Sequence, residues 1–457
     1  MPMMRVAAAA AFLFAFSPAS QARNSETVLH TFAFQGDGGF PLSGLAADLK
    51  GNLYGTVELG GPGTCGSGCG NVFELTRNNG VPVHKVIHVF QGSLSDGGNP
   101  AGSPILDSHG NLYGTTISGG DAGCGVVYEL SPAKKGQWAE TILHSFNSQK
   151  GNDDGCAPYS YLVFDASGNL YGTTNKGGGG GVGGTFCENG CGTVFRLVPN
   201  GDGTWTESVI HSFPGTVGNT DGQNPFGGLA FDSKGDLWGT TQAGGTGGDA
   251  CNPFGSPPGC GTVFELTQTK TGKWKEAAIY SFQDSTTGWD SFAGPVIDAQ
   301  DNVYGPLVNG GPGNGAIFKI AVQKDGSLGE SLIYTFAPCD EMAGCLDGVF
   351  PFGGLTLDSS GNLYGTTDLG GAASFVCNPG GERPTGCGTV FKLTPRQNGK
   401  WKETLLYRFV GNEDGSQPSP DRLVITAKGD VFGTATDGGD LSDCPGGIGC
   451  GVVFKTR

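Results

Sequence analysis

The chain has 457 residues, of which 86 are glycine and only 15% are charged. Hydrophobic residues make up 37% of the chain, which is too many for a disordered protein, and the glycines follow no collagen period. The formal net charge of −16 repels phosphate backbones and anionic lipid head groups, so nucleic acid is not an expected partner. Abundant glycine mixed with aromatic and β-branched residues is typical of many short strands joined by tight turns.

Residues 1–22 have the pattern of an export signal. A short basic start, residues 1–5, precedes an apolar run over residues 6–16, and Ser20 and Ala22 are small residues at the positions that a signal peptidase recognises. That run is too short to span a bilayer, and no later segment is apolar enough to do so. We therefore expect a signal peptide and a protein secreted to the periplasm or the exterior. The sequence shows no hydrophobic tail at residues 453–457, so no C-terminal anchor is expected.

One sequence pattern occurs seven times. It reads G-L-x-x-D-x-x-G-N-L-Y-G-T-T-x-x-G-G, a variable loop, G-T-V-F-E-L, a turn with tryptophan, and E-T-x-I-H-S-F. Each copy holds four short strand signals, and turns such as residues 232–235 join the first two. The aromatic residue of L-Y-G recurs every 58 to 68 residues, at Tyr54, Tyr113, Tyr171, Trp238, Tyr304, Tyr364 and Phe432.

Four antiparallel strands per repeat of this length are typical of one propeller blade. The sequence predicts an all-β fold, a single seven-bladed β-propeller over residues 26–457. Residues 27–32 match the fourth strand of the unit without its first three, and residues 451–455 match the third strand without a fourth. We expect these two segments to pair and close the ring, which removes two open sheet edges. The blades are expected to start near residues 42, 101, 159, 226, 292, 352 and 419.

The repeats resemble the GloVer tandem repeat of exported bacterial proteins called choice-of-anchor tandem repeat GloVer-containing proteins. The L-Y-G-T-T, G-G and G-T-V-F-x-L segments carry the resemblance, which spans residues 26–457. It implies export and a repeated β architecture. It implies no particular reaction.

All 14 cysteines follow the signal segment, and an even number in an exported chain indicates disulfides. Tight cysteine pairs are also zinc ligands, but four thiolates would have to converge from separate blades in an oxidising compartment, so no metal is predicted at the cysteines. Cys124 and Cys156 remain after the pairs within single loops are assigned, and their loops are expected on one face of a propeller. The predicted bridges are Cys65–Cys69, Cys124–Cys156, Cys187–Cys191, Cys251–Cys260, Cys339–Cys345, Cys377–Cys387 and Cys444–Cys450.

The histidines do not suggest a catalytic group. His30, His88, His144 and His211 occupy one repeat position, which Tyr280, Tyr334 and Tyr407 fill in the other copies. A position that accepts both residue types favours a flat, partly polar packing role over a general base. His109 lies in a hairpin turn, and His84 has no counterpart in this scheme. No catalytic residue is predicted.

Acidic residues recur in the connections between repeats, where six copies read D-G-x-x-P. A ring of carboxylates near one rim suits calcium or a sugar, whereas an aspartate that caps its own turn is a structural feature. Their presence in six of seven copies favours the structural role, with calcium as the one cofactor to consider. These residues are Asp37, Asp96, Asp154, Asp221, Asp347 and Asp414.

The fifth copy departs from the pattern. Its second strand carries Pro306-Leu307 in place of Thr-Thr, and its connection contains Trp289-Asp290 without the D-G-x-x-P motif. Its loop at residues 309–315 is short beside longer neighbours, which predicts a notch. Trp289 could stack on a sugar there while Asp290 hydrogen-bonds it, although decay of one repeat explains the same facts.

These observations favour a secreted, non-enzymatic binding protein that uses the face of cysteine-stapled loops. Its ligand is expected to be a protein or a glycan, and the protein a monomer without a membrane span. A second hypothesis is an enzyme that acts on extracellular polysaccharide through carboxylates at the channel mouth, because two carboxylates can cleave glycosidic bonds without histidine. A structural component of the envelope or matrix is the third.

Overall fold

The structure is a computed structural model. It is all-β, and α-helix is absent from the residues it describes; two 3₁₀ turns occur at Lys134–Gly136 and Pro445–Gly447. It describes residues 26–61, 65–147, 154–179, 190–214, 220–247, 251, 259–283, 286–311, 313–323, 327–340, 344–371, 377, 385–442 and 444–457. The expected signal segment, residues 1–22, lies outside this set.

Seven antiparallel sheets form the blades of a propeller. In blades 1 to 6 the four strands follow chain order, from a two-residue first strand to a long fourth strand, whereas blade 7 takes its fourth strand from the start of the described chain. Blade 1 contains Ala46–Ala47, Leu53–Val57, Asn71–Asn78 and Val81–Val89. Blade 2 contains Ile105–Leu106, Leu112–Thr116, Val126–Pro132 and Trp138–Ser145. Blade 3 contains Val163–Phe164, Leu170–Thr174, Thr193–Pro199 and Trp205–Ser212. Blade 4 contains Ala230–Phe231, Leu237–Thr241, Thr262–Gln268 and Trp274–Ser281.

The remaining blades follow the same order. Blade 5 contains Val296–Ile297, Val303–Leu307, Ala316–Val322 and Leu328–Thr335. Blade 6 contains Thr356–Leu357, Leu363–Thr367, Thr389–Pro395 and Trp401–Arg408. Blade 7 contains Val424–Ile425, Val431–Asp437, Val452–Thr456 and, as its fourth strand, Thr27–Thr31. Short extra strands in the connections are Gly97–Gly98, Ser118–Gly119, Gly155–Cys156, Lys176–Gly177 and Ser416–Pro418.

The first strand of the described chain closes the ring. Thr27 pairs with Lys455, and Thr31 pairs with Val452, in an antiparallel ladder that places Thr27–Thr31 outside Val452–Thr456. Toward the centre, the Thr434 hydroxyl donates to the Ser43 carbonyl across the same seam, at 2.6 Å. The predicted seven-bladed fold and its closure are confirmed.

A belt of aromatic pairs holds neighbouring blades together. The phenylalanine that follows each fourth strand is fully buried, and its ring meets an aromatic ring on the third strand of the next blade at centroid distances of 5.0 to 5.4 Å. Phe32 and Phe73 form this pair between blades 7 and 1. The glycine of L-Y-G makes room for the second ring, since a Cβ on Gly55 would lie 2.5 Å from the Phe73 ring.

Every fourth strand carries a β-bulge at the same place, where the ladder to the third strand skips one residue. In blade 2 the skipped residue is Leu143. Residues four apart normally share one face of a strand, but the extra residue puts them on opposite faces. The E-x-x-x-H or E-x-x-x-Y side chains can therefore contact two different neighbouring blades.

Candidate functional site

One repeat position surrounds the propeller axis. It lies twelve residues before the aromatic residue of L-Y-G, at the end of the connection that enters each blade. All seven residues at this position line a single cavity of about 180 Å³. They are Leu42, Ala101, Tyr159, Phe226, Phe292, Phe352 and Pro420. We call this cavity the axial funnel.

Four consecutive blades, 3 to 6, supply aromatic residues to the funnel. The Tyr159 and Phe226 ring centroids lie 5.2 Å apart, those of Phe226 and Phe292 lie 5.3 Å apart, and those of Phe292 and Phe352 lie 5.1 Å apart. All four side chains are half-buried, so part of each ring remains accessible. The other three blades place smaller side chains here. The funnel therefore has an aromatic arc on one side and no matching arc on the other.

A tyrosine and an arginine close the axis beneath this arc. The repeat position ten residues before the L-Y-G aromatic is glycine in four copies and serine in one, but Tyr161 in blade 3 and Arg422 in blade 7. The Arg422 guanidinium lies 3.9 Å from the Tyr161 ring centroid, donates to the Tyr161 hydroxyl and to the Pro295 carbonyl, and so connects three blades. Tyr161 is only 5% exposed and lines the funnel. It is the floor of the cavity.

Two carboxylates lie near the funnel. Asp421 lines it and accepts hydrogen bonds from the Ser103 amide at 2.9 Å and from the Arg422 amide at 2.7 Å. Glu58 is partly buried, and burial raises its pKa. Burial, followed by the nearby Glu58 carboxylate, also raises the pKa of Tyr159. Glu58 therefore places negative charge close to one end of the aromatic arc.

The predicted rim acids occupy a second ring, farther out, at the junctions between blades. Each contacts the histidine or tyrosine at the end of the preceding fourth strand. The His30 Nε2 lies 2.7 Å from the Asp37 carboxylate, and the Tyr407 hydroxyl donates to Asp414 at 2.8 Å. Nearby backbone amides also donate to these carboxylates, as Ala33 does to Asp37 at 2.7 Å. Asp96, Asp154, Asp221 and Asp347 lie at the equivalent junctions, each beside its own histidine or tyrosine.

A partly buried acid from the following blade completes six of the seven junctions. This third group is the glutamate of the E-T-x-I-H-S-F segment, which the β-bulge turns toward the preceding blade. Burial is the largest cause of a raised pKa at all six glutamates, and neighbouring aspartates add to it at five of them. Their pKa values are about 8 for Glu26, 7 for Glu140, 7 for Glu207, 8 for Glu276, 6 for Glu330 and 7 for Glu403.

His84 stands where the other six copies have this glutamate. Its ring stacks on the His30 ring at 3.8 Å, and its Nδ1 lies 3.5 Å from the Asp37 carboxylate. Burial, followed by His30, lowers the pKa of His84 to about 4, although Asp37 opposes the shift. The residue that the sequence left without a counterpart is therefore a substitution within the junction ring.

Ligand atoms at four junctions lie within 4.8 Å of one another, at His30–Asp37–His84 and at three His–Asp–Glu groups. A metal ion could bridge such a spacing. However, in the tyrosine copies a phenol hydroxyl takes the place of the imidazole and donates to the same aspartate. A tyrosine hydroxyl is a poor replacement for a metal-binding imidazole but an equivalent hydrogen-bond donor. Hydrogen bonding therefore accounts for the ring, and calcium at these aspartates stays a prediction.

Trp289 and Asp290 do not line the axial funnel. Trp289 is half-buried against the core between blades 4 and 5, and its backbone pairs with Asn309. Asp290 has a φ of 60° and accepts a hydrogen bond from the Asn309 amide at 3.0 Å. Burial raises the pKa of Asp290 to about 6, although hydrogen bonds from Asn309 and Gln242 oppose the shift. Sugar binding at this pair stays a prediction.

Disulfides cross-link the loops between second and third strands and the connections between blades. Cys124 is joined to Cys156, and this bridge ties a loop of blade 2 to the connection that enters blade 3. Cys187 lies outside the described residues, so its predicted bridge to Cys191 cannot be described. The other bridges are Cys65–Cys69, Cys251–Cys260, Cys339–Cys345, Cys377–Cys387 and Cys444–Cys450. Such bridges are consistent with an extracellular or periplasmic protein.

The funnel residues were absent from the candidates that the sequence suggested. Their signal was present, since four consecutive copies carry an aromatic residue at one position while two copies replace a glycine with Tyr161 or Arg422. The fifth copy supplied the ligand-site prediction because its departures from the repeat are the most extensive. The position twelve residues before the L-Y-G aromatic gave no such prediction, because the sequence does not show which part of each connection faces the axis.

Comparison with known families assigns the chain. The model of the Gloeobacter/Verrucomicrobia repeat matches residues 7–187, 63–249 and 184–444. The chain belongs to this family. The match confirms the resemblance to the GloVer repeat that the sequence analysis gave for this Gloeobacter/Verrucomicrobia repeat protein. No curated protein matches it in sequence.

Solved structures share the fold of this repeat protein at low identity. An ancestral GH74 enzyme is 11% identical with a TM-score of 0.51, covering 94% of this chain and 48% of the other. A fungal alcohol oxidase of the AA5 family, in complex with copper, is 14% identical with a TM-score of 0.51, covering 94% of this chain and 76% of the other. At these identities the likeness shows a common architecture and nothing of the chemistry. In the described part of the chain, no helix has the length and apolar character needed to cross a membrane.

Proposed function

We propose that this repeat protein is a secreted, non-enzymatic binding protein and that its ligand occupies the axial funnel. The observation that carries the proposal is the departure from sevenfold symmetry at the axis. Seven equivalent positions line one cavity, yet only four consecutive ones are aromatic. Tyr161 replaces the usual glycine or serine at the floor of the cavity, and Arg422, which replaces it in blade 7, holds the Tyr161 ring from behind. A packing role shared by all copies would not select different side chains on the two sides of the axis.

The surroundings of the funnel favour binding over catalysis. Its wall consists mainly of phenylalanine, tyrosine and glycine, and an apolar cavity with few polar groups is typical of ligand sites. An engineered apolar cavity of about 150 Å³ holds benzene. The axial funnel, with about 180 Å³, therefore has room for one substituted aromatic ring or a branched aliphatic group.

Titration of the mature protein with tert-butylbenzene tests this proposal by calorimetry or by ligand-observed NMR. We expect saturable binding that Phe292→Ala weakens at least tenfold, because its ring is at the centre of the arc. Phe164→Ala is the matched control. Phe164 is also half-buried, but its ring packs on Tyr113 of the neighbouring blade and does not line the funnel. Equal affinity in the two variants, or no binding by the unmodified protein, would overturn the proposal.

A second candidate function is acid–base catalysis near the channel mouth. Burial raises the pKa of Asp368 to about 6. Burial, followed by the Asp368 carboxylate, also raises the pKa of Asp437 to about 6. A carboxyl whose pKa is raised in this way can donate a proton near neutral pH, as a general acid does. Turnover of a polysaccharide that both Asp368→Asn and Asp437→Asn abolish would favour this candidate, whereas turnover retained in either variant would remove it.

A further inference from the structure

The charge around the axial funnel is predominantly negative. In the part of the chain that the structure describes, Asp421 lines the cavity, and no lysine, arginine or histidine does. Glu58 lies close to Tyr159 at one end of the arc. Asp368 occupies the repeat position of Glu58, since its amide donates to the Phe350 carbonyl as that of Glu58 does to the Phe40 carbonyl. Asp437 pairs with Ser416 in the connection that enters blade 7.

Arg422 is the nearest cation, but it is directed at the protein. Its guanidinium is stacked 3.9 Å from the Tyr161 ring centroid and donates to Pro295. It is absent from the cavity wall. Its charge is therefore already engaged with an aromatic face and a carbonyl. Asp421 lines the cavity, and among the described residues its carboxylate accepts hydrogen bonds only from the uncharged amide and hydroxyl of Ser103 and the Arg422 amide.

Aromatic rings and carboxylates together select a particular ligand chemistry. The faces of phenylalanine and tyrosine attract cations through the ring quadrupole, and exclusion of water strengthens both this attraction and that of nearby carboxylates. A neutral apolar ligand would use the rings alone. A sugar would leave several hydroxyl groups against phenylalanine without hydrogen-bond partners, which is costly.

On the basis of the proposed function, we infer that the axial funnel binds a cation on an apolar body, such as an alkylammonium or arylammonium group. The aromatic arc formed by Tyr159, Phe226, Phe292 and Phe352 contacts the apolar body and the charged group. Asp421 and Glu58 supply the opposite charge. The net charge of −16 on the chain attracts such ligands from solution.

Three probes of similar size separate charge from shape: phenyltrimethylammonium, its neutral isostere tert-butylbenzene, and benzenesulfonate. At pH 7 and low salt, we expect the ammonium probe to bind at least tenfold more tightly than tert-butylbenzene, and benzenesulfonate to bind most weakly. Raising the salt concentration is expected to reduce the difference between the ammonium and neutral probes, because salt screens charges at the accessible rim.

Charge variants locate the effect. We expect Glu58→Gln and Asp421→Asn each to reduce the preference for phenyltrimethylammonium over tert-butylbenzene about threefold or more. Asp202→Asn makes the same change of charge on an exposed hairpin between the third and fourth strands of blade 3 and serves as the control. Because Asp421 also holds Ser103, Glu58→Gln remains informative if the Asp421 variant fails to fold.

The outcomes distinguish this inference from the function on which it depends. Equal binding of the ammonium and neutral probes would overturn the charge preference and leave the funnel as a binding site. Tightest binding of benzenesulfonate would overturn it by assigning the dominant charge to Arg422. Binding by none of the three probes would overturn both the inference and the proposed function. An equal effect of Asp202→Asn would show that overall charge, not the funnel, causes the preference.

Discussion

The junction ring and the axial funnel are built from the same seven repeats but differ in symmetry. At six junctions, the histidine or tyrosine at the end of a fourth strand contacts an aspartate of the following turn, and six copies add a partly buried glutamate. At the axis, one position holds leucine, alanine, proline or an aromatic residue, according to the blade. Each of the seven blade interfaces needs its own stabilising contacts, so the same residues recur there. A single ligand on the axis can contact several blades at once, so the residues that line the axis need not be the same in every copy.

Truncation of one phenylalanine in each region should give the largest contrast. Phe213 is fully buried and its ring centroid lies 5.3 Å from that of Phe264, so Phe213→Ala is expected to cost about 3–5 kcal/mol of unfolding free energy. Phe226 is half-buried in the funnel, and Phe226→Ala should cost about 1 kcal/mol. Probe binding should change in the opposite order, with a loss of at least tenfold only for Phe226→Ala. Chemical denaturation and calorimetry measure the two effects, and similar stability losses would contradict the contrast.

The pH dependence of stability should report the junction ring. Six glutamates have raised pKa values in the folded protein, so the folded state holds protons that the unfolded state releases, and stability falls as the pH rises from about 4.5 to about 8. Hydrogen bonds lower the pKa of Asp37 and Asp96 despite burial, so their contribution is lost as the pH falls below about 4. His84 also opposes stability at acid pH, because its pKa is lowered. The melting temperature is expected to be highest near pH 5 and about 5 °C lower at pH 8.5. A maximum at pH 8 would refute this description of the junctions.

A substitution at a single junction should change the pH dependence of stability by a smaller amount. Glu276 has a pKa of about 8 because of burial and of Asp221, so its ionisation opposes folding at alkaline pH. Glu276→Gln removes this charge and, after allowance for partial exposure, should stabilise the protein at pH 9 by on the order of 1 kcal/mol. Little change is expected at pH 5, where the glutamate is protonated. Glu413→Gln, at an exposed site, is the control, and an equal gain in both variants would assign the effect to net charge.

Removal of Trp289 should have the smallest effect on the funnel. Trp289 packs between blades 4 and 5 and does not line the cavity, so Trp289→Ala should change probe affinity less than twofold. The same variant tests the separate prediction that the notch of the fifth copy binds a sugar. Loss of binding on a glycan array with unchanged probe affinity would support two separate sites. Loss of probe binding would show that the funnel is not independent of this region.

Structural features that recur in every copy could be predicted from the sequence. The propeller, the strand order and the partner of residues 27–31 follow from comparing copies. At the position that histidine and tyrosine share, both residue types contact the turn aspartate. The contacts of His84 with His30 and Asp37 were not predictable, because they depend on a β-bulge that turns His84 and His88 to opposite faces. The repeat shows no insertion there, since all copies contain the extra residue.

The axial funnel could not be predicted from the sequence because it depends on the path of each connection in space. The connection from Asp154 to Tyr161 contains residues that face a junction, a neighbouring loop and the axis, and only the three-dimensional path of the chain separates them. The pairing of Tyr161 with Arg422 spans 261 residues and four blades. Nothing in either local sequence indicates the other.

A crystal structure of the mature protein with phenyltrimethylammonium would locate the ligand site. We expect the probe in the axial funnel, with its ring or its ammonium group against Phe226, Phe292 and Phe352. A probe bound at the blade junctions or beside Trp289, with an empty funnel, would contradict this expectation.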